Sequence, residues 1–332
     1  MLIVTNIEST VNQLSTSEVE SEMIAWTDPV HFGQVVLERD LDTFSERRVA
    51  VLSSFGWDED GVMSEDFSLR NEEFERFLGT GEQVVLLFGP SIRDQLQLSQ
   101  ICDYLSTASS EVLDCIAFGL SDVPIESNAE ACLEALRNLS ADPFGLLIGY
   151  RDLWRAYAGG DPRFLEQFYR TQNDERLKYI ASRVLRKYPS AENGLSLGDT
   201  QILDALSLGL RRPQELFDAC QETEAFAYAT NWEFWSVLHR LCAGLEPFVK
   251  VLNNDRFLCP PKDLAWDTFY SQELVLTEKG ERAASPEQCY ADSHYPNRWI
   301  GGVRLHQNNR WYWDYEAGQL VRMPRTRELA MV

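Results

Sequence analysis

Gln83-Val-Val-Leu-Leu-Phe-Gly-Pro-Ser-Ile-Arg-Asp-Gln-Leu-Gln-Leu98 decides the fold. Gln83–Phe88 is a continuous apolar run, β-branched at its start, as a strand buried on both faces requires, and Gly89-Pro90 stops it. Ser91 then stands as N-cap of a helix in which Leu98, Ile101, Cys102 and Leu105 recur at helical spacing. Downstream, Val112–Phe118 reads as another strand, and strand, helix, strand in this order predicts a parallel sheet with a crossover. Upstream, Leu2-Ile-Val-Thr5 and Glu22–Trp26 read as two more strands around a polar segment whose Val11 and Leu14 have helical spacing. The acidic stretch from Asp58 to Arg70, with Gly61 and Ser64, reads as an exposed connection.

Beyond this domain the chain changes character. Residues 151–190 mix aromatics and bases, and Gly159-Gly160-Asp161-Pro162 divides them into helices that serve as a seam between domains. From Leu195, three helical segments (around 201–206, 213–217 and 231–242) and two apolar runs, Phe248–Leu252 and Glu273–Thr277, follow the order of a winged helix. In the tail, Trp299–Leu305 and Arg310–Asp314 alternate about Gln307-Asn-Asn309, which predicts a β-hairpin of those two runs. The expected fold class is therefore α/β: a small parallel sheet with flanking helices, an α-helical seam, a winged-helix-like domain and a C-terminal β-hairpin. The domains are expected at 1–145 (acidic, Rossmann-like), 146–192 (connector), 193–285 (winged-helix-like) and 286–332 (aromatic and basic tail).

Charge narrows the partners. Residues 1–150 hold 27 Asp and Glu against 7 Lys and Arg, while residues 151–332 hold 25 against 23. A field of that sign repels phosphate backbones and anionic lipid and attracts cations and basic proteins. Seven widely spaced cysteines without a C-x-x-C pair argue for reduced thiols in a cytoplasmic protein, with no metal site. No run reaches the roughly 20 apolar residues of a membrane span, and the start lacks a basic-then-apolar leader. Neither G-x-G-x-x-G nor G-x-x-x-x-G-K-[ST] occurs, so no nucleotide cofactor is expected.

In open parallel sheets, ligands bind where loops leave the carboxyl ends of the strands. The loops after Val4, Trp26 and Phe88 are placed to do so. They carry the ligand-binding candidates Trp26, Asp28 and His31 and lead into Asp94, Gln95 and Gln97; Arg48 is a further candidate, and Arg183 of the connector adds an anion-binding candidate. Asp28 can fix the tautomer of His31, and Asp94 can orient a hydroxyl or water. The preferred reading of the same residues is structural, Asp28-Pro29 as a turn starter and Asp94 at a helix start. Arg298, Trp299, Trp311 and Trp313 are the tail's candidates for docking onto the acidic domain or for recognising bases.

One ordered set of motifs resembles the bacterial family called domain of unknown function 1835. The set comprises Trp26-x-Asp28, His31-x-Gly33, Arg48, Phe88 with Asp94-Gln-Leu-Gln-Leu98, Pro189-Ser190, Asn193-Gly-Leu-Ser196, Glu215-Leu-Phe217, Phe234-Trp235, Leu276-Thr277 with Gly280, Arg298-Trp-Ile-Gly-Gly302 and Trp311-x-Trp-Asp314. The resemblance covers most of the chain and implies architecture rather than a reaction. Where the family pattern has Gly-Asp, His-Glu-Gly-Pro and an acidic pair, this chain has Asn6-Ile7, His31-Phe-Gly-Gln34 and Gly89-Pro-Ser91. Three carboxylates expected above the sheet are replaced, so its edge is expected to be short of acids.

The expected function is a cytosolic binding or regulatory protein. Its acidic domain takes a small molecule or a basic protein partner, and its winged helix serves protein interaction or scaffolding. An alternative is a hydrolase or transferase using Asp28, His31 and Asp94, and a DNA-binding regulator is the third option. The third helix carries only His239 and Arg240 as groups for DNA, so nucleic acid is disfavoured.

Overall fold

The structure, a computed structural model, describes residues 1–17, 19–58, 61–126, 128–225, 231–260, 266–284 and 295–323. Two compact units divide the chain: Met1–Ala181 with Gly301–Val303, and Ser182–Ile300 with Arg304–Val332. The first runs β1 (Leu2–Thr5), α1 (Glu8–Ser15), β2 (Glu22–Ala25), α2 (Leu41–Ser54), α3 (Met63–Leu78), β3 (Val84–Phe88), α4 (Ile92–Leu105), α5 (Ser110–Leu113), β4 (Ile116–Leu120), α6 (Ala129–Arg137), α7 (Pro143–Ala158) and α8 (Arg163–Thr171), and α9 (Glu175–Leu185) begins in it.

The four strands form one parallel sheet in the order β2-β1-β3-β4, with Val4 opposite Ile24 on one side and Leu86 on the other, and Leu86 opposite Phe118. Every residue of β1 and β3 is buried, while the outer strands are only partly so. This is the burial that continuous apolar runs need at the centre of a covered sheet. Because all four strands run the same way, all their carboxyl ends open onto one edge. The chain reverses its direction of build between β1 and β3, so a topological switch point lies there.

Three local expectations are corrected. The stretch read as an exposed connection up to Arg70 is mostly helix: α3 begins at Met63 and buries Phe67, Arg70, Asn71, Phe74 and Phe77 on one face. Its acidic start, Glu65 and Asp66, suits the positive end of a helix rather than a loop. The strand read over Val112–Phe118 is α5 followed by β4, shifted to Ile116–Leu120. In the tail, the run read as one strand over Trp299–Leu305 turns back on itself, because Gly301 adopts φ of +58°. β7 (Arg298–Ile300) therefore pairs with β8 (Val303–Leu305), and β9 (Trp311–Asp314) pairs with β10 (Gln319–Arg322), not with the run before it.

In the second unit, α10 (Leu197–Ser207), α11 (Pro213–Glu222) and α12 (Asn231–Cys242) precede β5 (Val249–Val251), α13 (Trp266–Ser271), β6 (Leu274–Leu276) and α14 (Glu278–Ala283). β5 and β6 pair antiparallel, Val249 opposite Leu276. Their core gathers Leu203, Leu216, Phe234, Leu238, Phe248 and Phe269. Six cysteines are free, Cys102, Cys115, Cys132, Cys220, Cys242 and Cys259; the seventh, Cys289, lies outside the described residues, as do Arg325 and Arg327. Among the described residues no helix is long and apolar enough to cross a membrane.

Candidate functional site

The carboxyl edge of the sheet has two parts. At the switch point, Asn6 follows β1 and Asp94 opens α4 after β3. The amide of Asn6 donates to both oxygens of Asp94 (3.1 and 3.0 Å) and to Glu126 (3.0 Å), while its oxygen accepts from Thr10 (2.9 Å). Asp94 also accepts from the Gly89 N–H at 2.9 Å and the Ser91 hydroxyl at 2.8 Å, and Ser91 in turn caps the Asp94 N–H. Arg93 reaches both Asp94 and Glu126. Asn6 and Asp94 are wholly buried, so this crevice is filled by the chain's own side chains. Burial first, and then the Asp94 charge, raise the Glu126 pKa against the opposing pull of Arg93. The edge is thus not short of acids, which corrects the expectation drawn from the replaced carboxylates. Asparagine at position 6 lets two acids share the crevice, since an aspartate there would bring a third negative charge.

The loop after β2 is held from within as well. The Asp28 carboxylate, fully buried, accepts from Arg48 Nε at 3.0 Å to each oxygen and pairs with Nη2 at 2.9 Å. Arg48 also donates to the carbonyls of Gln34 and Pro29. From the other side, Gln97 donates to the carbonyls of Trp26 (2.5 Å) and Asp28 (3.0 Å). Trp26 itself donates to Gln100 at 2.7 Å and lies under the Arg70 guanidinium, whose carbon is 4.1 Å from the ring centroid. Burial lowers the Arg70 pKa to about 10, with Asp28 and Asp42 opposing. His31 is buried in the same loop. Arg48 and Gln97 thus act on backbone carbonyls, the groups that a buried loop must satisfy.

α4 ties this edge together. Almost all of it is buried, its polar residues included, because each polar side chain meets a partner. Gln95 donates to the Gly89 carbonyl (2.6 Å) and accepts from the Tyr150 hydroxyl of α7 (2.6 Å), and Asp103 pairs with Arg155 of the same helix at 2.6 Å.

Tyr150 leads to the second part, which is open. A cleft of about 260 Å³ lies past the end of β4, lined by Phe118, Leu120, Asn138, Ser140, Leu146, Tyr150, Asp174 and Arg176. Phe118 and Tyr150 stack with ring planes 10° apart. Burial raises the Tyr150 pKa, with Arg176 acting against it, so the hydroxyl stays protonated and donates. Asp174 accepts the Leu177 N–H at 2.9 Å at the start of α9. Arg176 donates to the Ser121 carbonyl at 3.2 Å and pairs with Asp122, a carboxylate 88 % exposed. A mostly polar lining, with Asn138 and Ser140 beside Leu120 and Leu146 and a rim carrying both charge signs, suits a small polar molecule.

Two parts of this edge escaped sequence reading. Glu126 and most of the cleft residues follow β4, whose loop was not counted among those at the carboxyl edge. Asn128, which caps α6 by accepting from Ala131, marks the end of that loop in the sequence. Among the described residues no group of three His, Cys, Asp or Glu is arranged to hold a metal.

The remaining candidates lie in the second unit. Arg183 pairs with Glu224 at 2.9 Å, both buried. Arg298 donates to the Lys187 carbonyl, and Trp313 donates its N–H to Pro189 at 2.8 Å. Trp299 is half-buried on β7, and Trp311 carries the Arg322 guanidinium 5.9 Å from its ring centroid. Arg310 lies over Tyr295 and Tyr312. Compared with known proteins, the chain matches no family model and no curated protein.

Proposed function

We propose that this is a binding or regulatory protein whose α/β unit takes a small polar molecule in the cleft beyond β4. The observation that carries the reading is that cleft of about 260 Å³, walled by a fixed tyrosine and rimmed by Asp174 and Arg176. Its volume sits just below the range of roughly 300–1,000 Å³ usual for small-molecule pockets, which favours a compact ligand over a dinucleotide. The acids that a hydrolase or transferase would use, Asp28 and Asp94, are both sealed and bonded, which favours binding over catalysis at the switch point. The test is a small-molecule screen by thermal shift and native mass spectrometry on the wild type and on Leu146→Trp, which fills the cleft. Ligands that stabilise the wild type and leave the variant unmoved support the reading; ligands that act equally on both overturn it.

A basic protein partner is the second reading, favoured by the outer face of α3. Val62 and Leu69 are exposed there a helical repeat apart, among Glu65, Asp66 and Glu72. Capture of a basic peptide that weakens steeply with salt and is lost in Leu69→Lys checks it. For the second unit we keep the winged-helix-like scaffold without DNA. Arg240, one of the two groups that its third helix offers a phosphate, is instead paired with Asp199 at 2.5 Å. Kinship with the domain of unknown function 1835 family remains part of the proposal, supported by the ordered motifs.

A further inference from the structure

We infer that the ligand of the cleft is a zwitterion, a free amino acid or a molecule presenting one, with its carboxylate on Arg176 and its ammonium on Asp174. The inference rests on the cleft being the binding site. Asp174 and Arg176 bring opposite charges to one rim at the start of α9, two residues apart. A guanidinium matches a carboxylate in a two-bond fork, and a carboxylate accepts from an ammonium, so the pair is complementary to the head of an amino acid. Leu120 and Leu146 line the cleft beside Asn138 and Ser140, whose polar groups offer bonds to the rest of the ligand, while the Tyr150 hydroxyl behind them is already donated to Gln95.

The charge of the surrounding domain separates this ligand from simpler ones. With 27 acidic against 7 basic residues in its first 150, the domain repels a free anion on approach, so Arg176 alone is a poor anion trap. A purely cationic ligand leaves the guanidinium facing a positive charge. A zwitterion is neutral to the long-range field and meets both rim charges at close range. Arg176 can turn to a ligand carboxylate by giving up Asp122 alone, since that carboxylate is 88 % exposed and a pair so open to water adds little, while its bond to the Ser121 carbonyl stays in place. The wall behind is rigid, since Gln95 holds the Tyr150 hydroxyl at 2.6 Å and is itself bound to the Gly89 carbonyl.

The test titrates the full chain with each common L-amino acid, by calorimetry and thermal shift. Every binder is then compared with the amine lacking its carboxylate and the acid lacking its ammonium. At least one amino acid is expected to bind, and either deletion is expected to weaken it about tenfold or more, as loss of a charge-assisted contact does. Arg176→Gln and Asp174→Asn are expected to weaken it similarly. Asparagine still caps a helix, so the second variant keeps its fold. Leu146→Trp and the rim variant Asn138→Trp are expected to abolish binding, with melting curves confirming that each is folded. The inference is overturned if no amino acid binds, or if the amine or the acid binds as well as its parent. Should a neutral or anionic molecule bind and be displaced by both cleft-filling variants, the zwitterion falls and the cleft stands. Should amino-acid binding survive both of those variants, the cleft reading falls too.

Discussion

The crevice between β1 and β3 and the cleft beyond β4 lie on the same edge of the same sheet, yet one is packed shut and the other is open. The crevice holds the residues that a reader of sequence picks first: Asn6, Asp94 and the neighbouring Asp28 loop. Each carboxylate or amide there is bonded to backbone, to arginine or to another side chain, and none of these three residues is exposed. The cleft holds residues without a motif, drawn from β4, the loop before α7, α7 itself and the start of α9. The difference teaches that a buried polar residue at a strand end is first a solution to a folding problem. The loops that cross the edge carry N–H and C=O groups that must be paired, and Arg48, Gln95 and Gln97 spend their donors on those carbonyls.

The strongest way to break the comparison is Arg48→Ala. If Asp28 is scaffold, removing its partner strands a buried carboxylate and frees two carbonyls, and stability falls by about 3–5 kcal/mol. Urea denaturation followed by tryptophan fluorescence measures it. A loss under about 1 kcal/mol would mean that Asp28 does not depend on the pair and is available for chemistry. Asp94→Ala comes next. It leaves the Gly89 N–H and the Ser91 hydroxyl without their acceptor and the Asn6 amide with Glu126 alone, at about 1–3 kcal/mol. The same denaturation experiment reads it, and ligand binding in the cleft is expected to persist in the folded fraction.

The sheet was legible because continuous apolar runs at Leu2–Thr5 and Val84–Phe88 have few alternatives to a buried strand. Ser91 and the periodicity behind it gave α4 for the same reason. What stayed hidden was the fate of its polar face: Gln95 and Gln97 read as ligand-binding candidates, but Gly89 and Trp26 engage them, and Trp26 also engages Gln100. Periodicity reports which residues are apolar, not which polar ones find a mate. α3 was missed, its start being read as a connection as far as Arg70, because the acidic first turn masks the Phe67, Phe74 and Phe77 stripe that follows. Glu126 was missed because its contact with Asn6 spans 120 residues, and nothing local marks it.

Glu126 sharpens the comparison from the crevice side. Its folded pKa is raised, so the native state holds that proton more tightly than the unfolded chain does. The stability this group contributes is full below its unfolded pKa near 4.3 and is lost as pH rises through the higher folded value. Glu126→Gln keeps an oxygen for Asn6 and Arg93 and removes the like charge beside Asp94. The variant is therefore expected to be the more stable one at pH 7, by less than the losses above, with the gain vanishing below about pH 4. Melting temperatures of both proteins from pH 3.5 to 8 follow it, and a gain that persists at low pH would contradict the electrostatic account.

The smallest effect belongs to the open side. Asp122→Ala removes the exposed partner of Arg176 and is expected to change stability by about 0–1 kcal/mol, less still in high salt. Set beside the loss at Arg48, that near-indifference is the point: two arginines sit at one sheet edge, one bound to a sealed carboxylate and one to a carboxylate in water. Both also hold backbone carbonyls, Ser121 in the case of Arg176, but only the second can give up its carboxylate at little cost. If Asp122→Ala proves as costly as Arg48→Ala, Arg176 is scaffold too, and the distinction between the closed and open parts of the edge disappears. If it is neutral and cleft ligands bind more tightly to the variant, Asp122 is a competitor that the ligand displaces, and Arg176 is the residue it competes for.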